Sequence, residues 1–219
     1  WTIPREINLN SESVIYSAGV GEDISFDLQL SSKYGCFILL IDPTSRSRTH
    51  FQEVQKYYST NNWSFSGDIQ KDYKRNIEGL NIDFSKIKYI PLGLWDCQSE
   101  LKFYKQNNKK NVSQSLIHNM FGRTYNIVRT FSIKDLMLQE NHQHIDLMKL
   151  DIEGAEIRVL NSMLDDQIYP NYLCVEFDLK LKGKDKENET EKTISRLKNS
   201  GYIELINDNL NITFYYEEF

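Results

Sequence analysis

Positions 149–156 read Lys149-Leu150-Asp151-Ile152-Glu153-Gly154-Ala155-Glu156, so one ammonium and three carboxylates surround a single glycine. In an extended chain, alternation places Lys149 and Asp151 on the same side, where their opposite charges attract. Three acids beside one turn are costly unless a partner, a cation or a ligand answers them. A carboxylate in such a set can take the proton of a hydroxyl. The set can also hold a hard cation such as Mg²⁺ or Mn²⁺, with Asp151 as a ligand. Glu153 and Glu156 have a plainer reading as caps of the following helix, because acids favour that end of its dipole. Glu176, at the end of the run Tyr-Leu-Cys-Val-Glu-Phe, is a further candidate base or metal ligand. Its plainer reading is a buried acid bonded to backbone amides.

A second constellation lies upstream. Gly19 and Gly21 follow the β-prone run Val14-Ile15-Tyr16, and Asp42 falls roughly 20 residues beyond them. Glycine permits a sharp turn and lets a ligand lie against the backbone. An acid at that remove can reach a ribose hydroxyl. Dinucleotide sites want a third glycine for close helix packing, and Ile24 holds that place. A nicotinamide or flavin cofactor is therefore disfavoured. A cofactor with a ribose and no pyrophosphate needs less of the glycine loop, and S-adenosylmethionine meets that description. The same residues are also compatible with an ordinary strand–helix turn that binds nothing.

These residues need strands and helices to hold them. Residues 14–42 read as strand, glycine turn, helix and strand. Glu22 and Asp23 stand where the helix begins, Gly35 at its C-cap, and 36–41 form a strand buried on both faces. A helix is expected over 45–58, a short strand over 63–66 and a third core strand over 87–92. Strands follow at 101–105 and 125–131, separated by a mobile loop over 106–124, so 97–131 reads as a strand-and-loop insertion. Ser132 caps a short helix. The fourth core strand is 145–150, followed by an amphipathic helix over 155–164 and a fifth strand over 172–177. Residues 180–192 read as a solvated loop, 193–199 as a helix, and 202–206 with 211–216 as a closing antiparallel pair. Strands that alternate with helices give an α/β sheet, parallel with one reversed strand at its end.

At 219 residues the chain is expected to be a single domain, with 1–13 as a lead-in that covers the pocket or trails. Its start at Trp1 is compatible with a piece of a larger protein. A net charge of −5 argues against a duplex nucleic-acid partner. No apolar run approaches the roughly 20 residues of a membrane span. Cys36, Cys97 and Cys174 are scattered without a C-x-x-C pair, so neither zinc nor a disulfide framework is indicated. A reducing, cytoplasmic setting is expected from them. His142 and His144 precede the fourth strand and read as surface groups away from the site. His118 lies in the loop with Ser113 and Ser115, where it could reach an acceptor.

Two stretches carry a resemblance. Ile15-Tyr-Ser-Ala-Gly-Val-Gly-Glu-Asp-Ile-Ser-Phe-Asp27 with Ile41-Asp-Pro-Thr44, and His144 through Leu160 around Lys-x-Asp-x-Glu-Gly-Ala-Glu, resemble the FkbM-type methyltransferase family. The run Ile90-Pro-Leu-Gly-Leu-Trp-Asp96 is also similar. The resemblance covers roughly residues 13–177. It implies a Rossmann-like class I methyltransferase fold, with a mostly parallel seven-stranded sheet, one antiparallel strand near the C-terminus and helices on both faces. It implies methyl transfer from S-adenosylmethionine to an oxygen, often on a sugar, glycan or glycosylated metabolite. By it, Gly19 and Gly21 lie along the methionine and ribose, Asp42 binds the ribose hydroxyls, Leu94 and Trp95 lie near the adenine, and Asp151 sits by the transferred methyl. Ser17, Glu22, Pro43 and Lys149 complete the expected cofactor-binding set. Asp151, Glu153 and Glu176 are the expected catalytic acids, and Asp151 with Glu176 the expected metal ligands. Many methyltransferases carry an acid two residues before the first glycine; this chain has Ser17, which leaves the holder of the cofactor's amino group unassigned. Two other functions stay open: a non-catalytic methyltransferase-like binding module in glycan assembly, and a nucleotide-sugar-binding enzyme.

Overall fold

A computed structural model describes residues 1–67, 69–106, 113–118 and 120–217. The chain runs β1 (Val14–Ala18), α1 (Ser25–Tyr34), β2 (Phe37–Ile41), α2 (Ser45–Thr60), α3 (Tyr73–Ile77), β3 (Ile87–Ile90), β4 (Gly93–Leu94), β5 (Ser99–Lys105), β6 (Gln114–Ser115) and β7 (Tyr125–Phe131). It continues through α4 (Ile133–Glu140), β8 (Leu147–Leu150), α5 (Glu156–Asp165), β9 (Tyr172–Glu176), α6 (Asp178–Leu181), α7 (Glu189–Asn199), β10 (Tyr202–Asp208) and β11 (Asn211–Tyr216).

The apolar runs make the centre of a seven-stranded sheet, in the order β10-β11-β9-β8-β1-β2-β3. β1 pairs in parallel with β2 and with β8, β2 with β3, and β8 with β9. β11 is antiparallel to both β9 and β10. The reversed strand therefore lies one place in from the edge rather than at the end of the sheet, because β11, not β10, pairs with β9. The pleat sends alternate residues to opposite faces. Tyr16, Leu39 and Met148 join α4, α5 and α7 in one core, while Ile15, Leu40 and Leu147 join α1, α2 and α3 in the other. A second sheet, β4-β7-β5-β6, has β5 antiparallel to β6 and β7.

Several local expectations need correction. Helix α1 begins at Ser25, not at Glu22, because the Asp23 carboxylate accepts the Ser25 amide at 2.8 Å and closes a turn first. Residues 63–66 form no strand. Trp63 and Phe65 instead pack their rings against Tyr57 of α2, at 5.3 and 6.2 Å between centroids, so their β propensity yields to tertiary packing. In the expected loop over 180–192, α7 already starts at Glu189, its amides capped by the Asp185 carboxylate. Within the expected loop over 106–124, Gln114 and Ser115 pair with β5, while residues 107–112 and 119 lie outside the described residues. The lead-in is laid down on the core: Ile7 and Leu9 are buried, and the Thr213 hydroxyl donates to the Thr2 carbonyl at 2.7 Å. Among the described residues no helix is long and apolar enough to cross a membrane.

Candidate active site

Connections leave β1 toward β2 on one side, and β8 leads to β9 on the other. Crevices form at the carboxyl ends of strands where the order reverses in this way. A cavity of about 520 Å³ opens there, large enough for a nucleoside-sized ligand.

Its floor is the turn after β1. Gly19 and Gly21 have φ of +73° and +55°, a backbone region that side chains disfavour. The Gly19 amide donates to the Ile41 carbonyl at 2.9 Å, which fastens the turn to β2. Asp42 then ties two loops at once: Oδ2 accepts the Gly21 amide at 3.0 Å and Oδ1 the Thr44 amide at 2.8 Å. Burial pushes the Asp42 pKa up, and the bonds from Thr44 and Gly21 oppose that. Pro43 and Leu94 stand in the same wall. Glu22 also lines the cavity, with its carboxylate held by Arg46 from Nε at 3.0 Å and Nη2 at 2.6 Å. Ser17 is fully buried beneath the turn. Trp95 is not in the wall; its ring lies under the Arg158 guanidinium at 5.5 Å.

The opposite wall is the turn after β8. Lys149, 4% exposed, reaches the Gly19 carbonyl at 3.4 Å and lies 3.9 Å from Asp151. The Trp1 ring covers its ammonium at 4.9 Å. Asp151 and Glu153 both line the cavity, and the Glu153 carboxylate is paired with Lys182. Glu156 serves the turn itself: its Oε1 accepts the amides of Ile152 at 3.0 Å and Gly154 at 3.1 Å. Glu176 opens into a smaller neighbouring cavity with Thr2 and Thr213. Burial and the Asp151 charge, with Asp178 behind it, push the Glu176 pKa up to about 7. Phe103 and Gln114 of the second sheet, with Leu116 just after β6, also line the large cavity. No histidine lines it among the described residues: His142 meets the Tyr16 hydroxyl, His144 meets Asp146, and His118 packs on Tyr104.

A family model described as the methyltransferase FkbM domain matches residues 4–204. The chain belongs to the FkbM methyltransferase family. A comparison with curated proteins finds no match.

In this FkbM methyltransferase, two site acids escaped the sequence reading. Asp27 lines the cavity from α1, and Asp178 sits behind Glu153 at the start of α6. The signal for Asp27 is its place three residues after Ile24 and one before Leu28, on the apolar face of the helix. Asp178 also changes the metal reading. Asp151, Glu153 and Asp178 bring carboxylate oxygens within 4.8 Å of one another, and Glu176 is not in that group. Lys182 already places its ammonium on both Glu153 and Asp178. That donor set does not fit a divalent cation, because the lysine neutralises two of its three acids.

The acids of this FkbM domain make stability depend on pH. Burial raises Glu176 to about 7, and burial with the Glu153 charge raises Asp178 to about 6. An acid with a raised folded pKa holds its proton more tightly when native. Its stabilising contribution is complete below the unfolded pKa and is lost as pH rises through the folded value. Relative to Glu176→Gln, the parent domain is expected to lose melting temperature as pH climbs from about 4 to about 7. Scanning calorimetry of both proteins across that window tests this, and a constant difference between them would refute it.

Proposed function

We propose that this FkbM methyltransferase uses S-adenosylmethionine to methylate a hydroxyl of a sugar, glycan or glycosylated metabolite. The observation that carries the cofactor reading is the glycine turn fastened by Asp42 at the sheet's reversal point, beside a nucleoside-sized cavity. The strand order supports a Rossmann-like class I methyltransferase. The residues present suit the cofactor: Asp42 retains unused lone pairs for ribose hydroxyls, and Leu94 and Leu92 give an apolar slot for the adenine. Gly19 and Gly21 let the ligand approach the backbone, with Ser17, Glu22 and Pro43 supporting the turn and the loop beyond it. An aromatic and amide wall from Phe103 and Gln114 suits a polyhydroxyl ring.

When bound, S-adenosylmethionine supplies a methyl group that its sulfonium already makes electrophilic. The chain's own task is to align an acceptor oxygen with that methyl and to take its proton. Asp151 is the carboxylate best placed for this, since it lines the cavity and its side chain is 30% exposed. Glu176 stands behind it as the group whose charge Asp151 opposes. Glu153, held by Lys182, shapes the turn rather than taking the proton.

Incubation with labelled methyl donor and a panel of glycans, followed by mass spectrometry, tests the activity; no labelled product on any hydroxylated acceptor would remove it. Asp42→Ala is expected to weaken S-adenosylhomocysteine binding about 10- to 100-fold, the loss of one or two hydrogen bonds to a charged group. Titration calorimetry showing unchanged affinity would take Asp42 out of the cofactor site.

A further inference from the structure

One buried carboxylate, Asp27, makes no geometric hydrogen bond among the described residues. Asp27, in the first turn of α1, is 1% exposed, yet it is one of the residues that line the large cavity. Neither Oδ1 nor Oδ2 has a partner at hydrogen-bonding geometry among the described residues. Burial pushes the Asp27 pKa up, while the nearby Lys149 charge and Ser17 hydroxyl hold it down. Ser17, at the end of β1, is itself fully buried with its hydroxyl oxygen unpartnered. A buried carboxylate without hydrogen-bond partners is unfavourable, and a ligand cation that donates to it would offset the penalty.

The surroundings say which cation. Lys149 lines the same cavity and is also almost wholly buried, but its direct ion pair is with Asp151. A wall that offers a carboxylate and an ammonium, near each other but with no direct ion pair between them, is complementary to a zwitterion that carries both charges. The α-amino acid end of a ligand seated on the Gly19 turn has that charge pattern.

We propose that Asp27 receives the α-ammonium of the methionyl arm of S-adenosylmethionine, with the Ser17 hydroxyl beside it and Lys149 toward the α-carboxylate. This rests on the cofactor reading above. It accounts for Ser17 in place of an acid at the end of β1: the carboxylate arrives from α1 instead, and a second one at position 17 would crowd it.

The test is titration calorimetry on the full chain with S-adenosylhomocysteine, its deamino analogue and 5′-methylthioadenosine, which lacks the amino acid altogether. The parent protein is expected to bind S-adenosylhomocysteine at least about tenfold tighter than the deamino analogue, the scale of a charge-assisted bond. Asp27→Asn should bind those two alike and bind 5′-methylthioadenosine as the parent does. The ligand-free variant should melt at or above the parent, because the substitution removes a buried charge that lacks geometric hydrogen-bond partners and keeps the shape. A variant that melts lower and still prefers S-adenosylhomocysteine would mark Asp27 as structural and overturn the proposal. A parent protein that binds S-adenosylhomocysteine and its deamino analogue equally overturns it with no mutation at all. If the parent binds none of the three, the cofactor reading fails and takes this assignment with it.

Discussion

Gly19→Ala is expected to abolish measurable S-adenosylhomocysteine binding and to cost the fold about 3–5 kcal/mol. A Cβ built at Gly19 would lie 1.7 Å from the Asp151 carbonyl oxygen and 2.6 Å from its carbon. Both are backbone atoms, so no side chain can swing aside to make room. The two segments are also fixed to each other: the Asp151 amide donates to the Ala18 carbonyl at 3.2 Å, and the Gly19 amide to Ile41 at 2.9 Å. Relief therefore requires parting β1 from β8, the two central strands between which the cavity opens. The φ of +73° adds about 1–2 kcal/mol for any residue with a Cβ. Gly21 is the internal control. It has φ of +55°, but a Cβ there meets nothing within 4 Å, so Gly21→Ala should lose only about 1–2 kcal/mol and remain folded. Thermal melts and calorimetry on the two variants measure the contrast. Equal behaviour of the two would show that the close approach at Gly19 is not what shapes the cavity.

That contact explains which parts of the molecule were readable from sequence. The turn at Gly19 and Gly21, the apolar run into Ile41 and the Gly35 cap (φ of +65°) are local, and local signals survive folding. Ser132 likewise caps α4 as its sequence suggests, and Asp135 completes the capping box. What was lost depends on neighbours far along the chain. Trp63 and Phe65 look β-prone until Tyr57 and Tyr73 supply ring faces for them. Asp27 drew no reading as a site residue, because its burial at 1% exposure is set by the way α1 packs on the sheet. Trp95 follows Leu94 by one residue, and that single step carries it from the cavity wall to the far side, beneath Arg158. Asp151 and Glu176 are the contrary case: their strand ends place both at one sheet edge, and the pairing of β8 with β9 makes them electrostatic neighbours.

Asp151→Asn is the substitution with the largest expected effect on chemistry alone. The amide preserves the shape of the carboxylate and removes its ability to accept a proton. Turnover should fall about 10²- to 10⁴-fold, the usual contribution of a positioned base, while S-adenosylhomocysteine affinity stays within about threefold. A second readout separates Asp151 from Glu176. The negative charge of Asp151 helps hold the Glu176 pKa at about 7, so removing that charge should lower it. If Asp151 is the base, Glu176→Gln keeps appreciable turnover, and any ionisation near pH 7 in the rate profile disappears with Glu176 without stopping the reaction. If Glu176 is the base instead, the order inverts: Glu176→Gln is the dead enzyme, and Asp151→Asn retains turnover with its rising limb moved to lower pH. Carboxyl resonances followed by NMR through the titration, alongside single-turnover rates, decide between the two orders. Near-parental turnover in Asp151→Asn would take that carboxylate out of the chemistry.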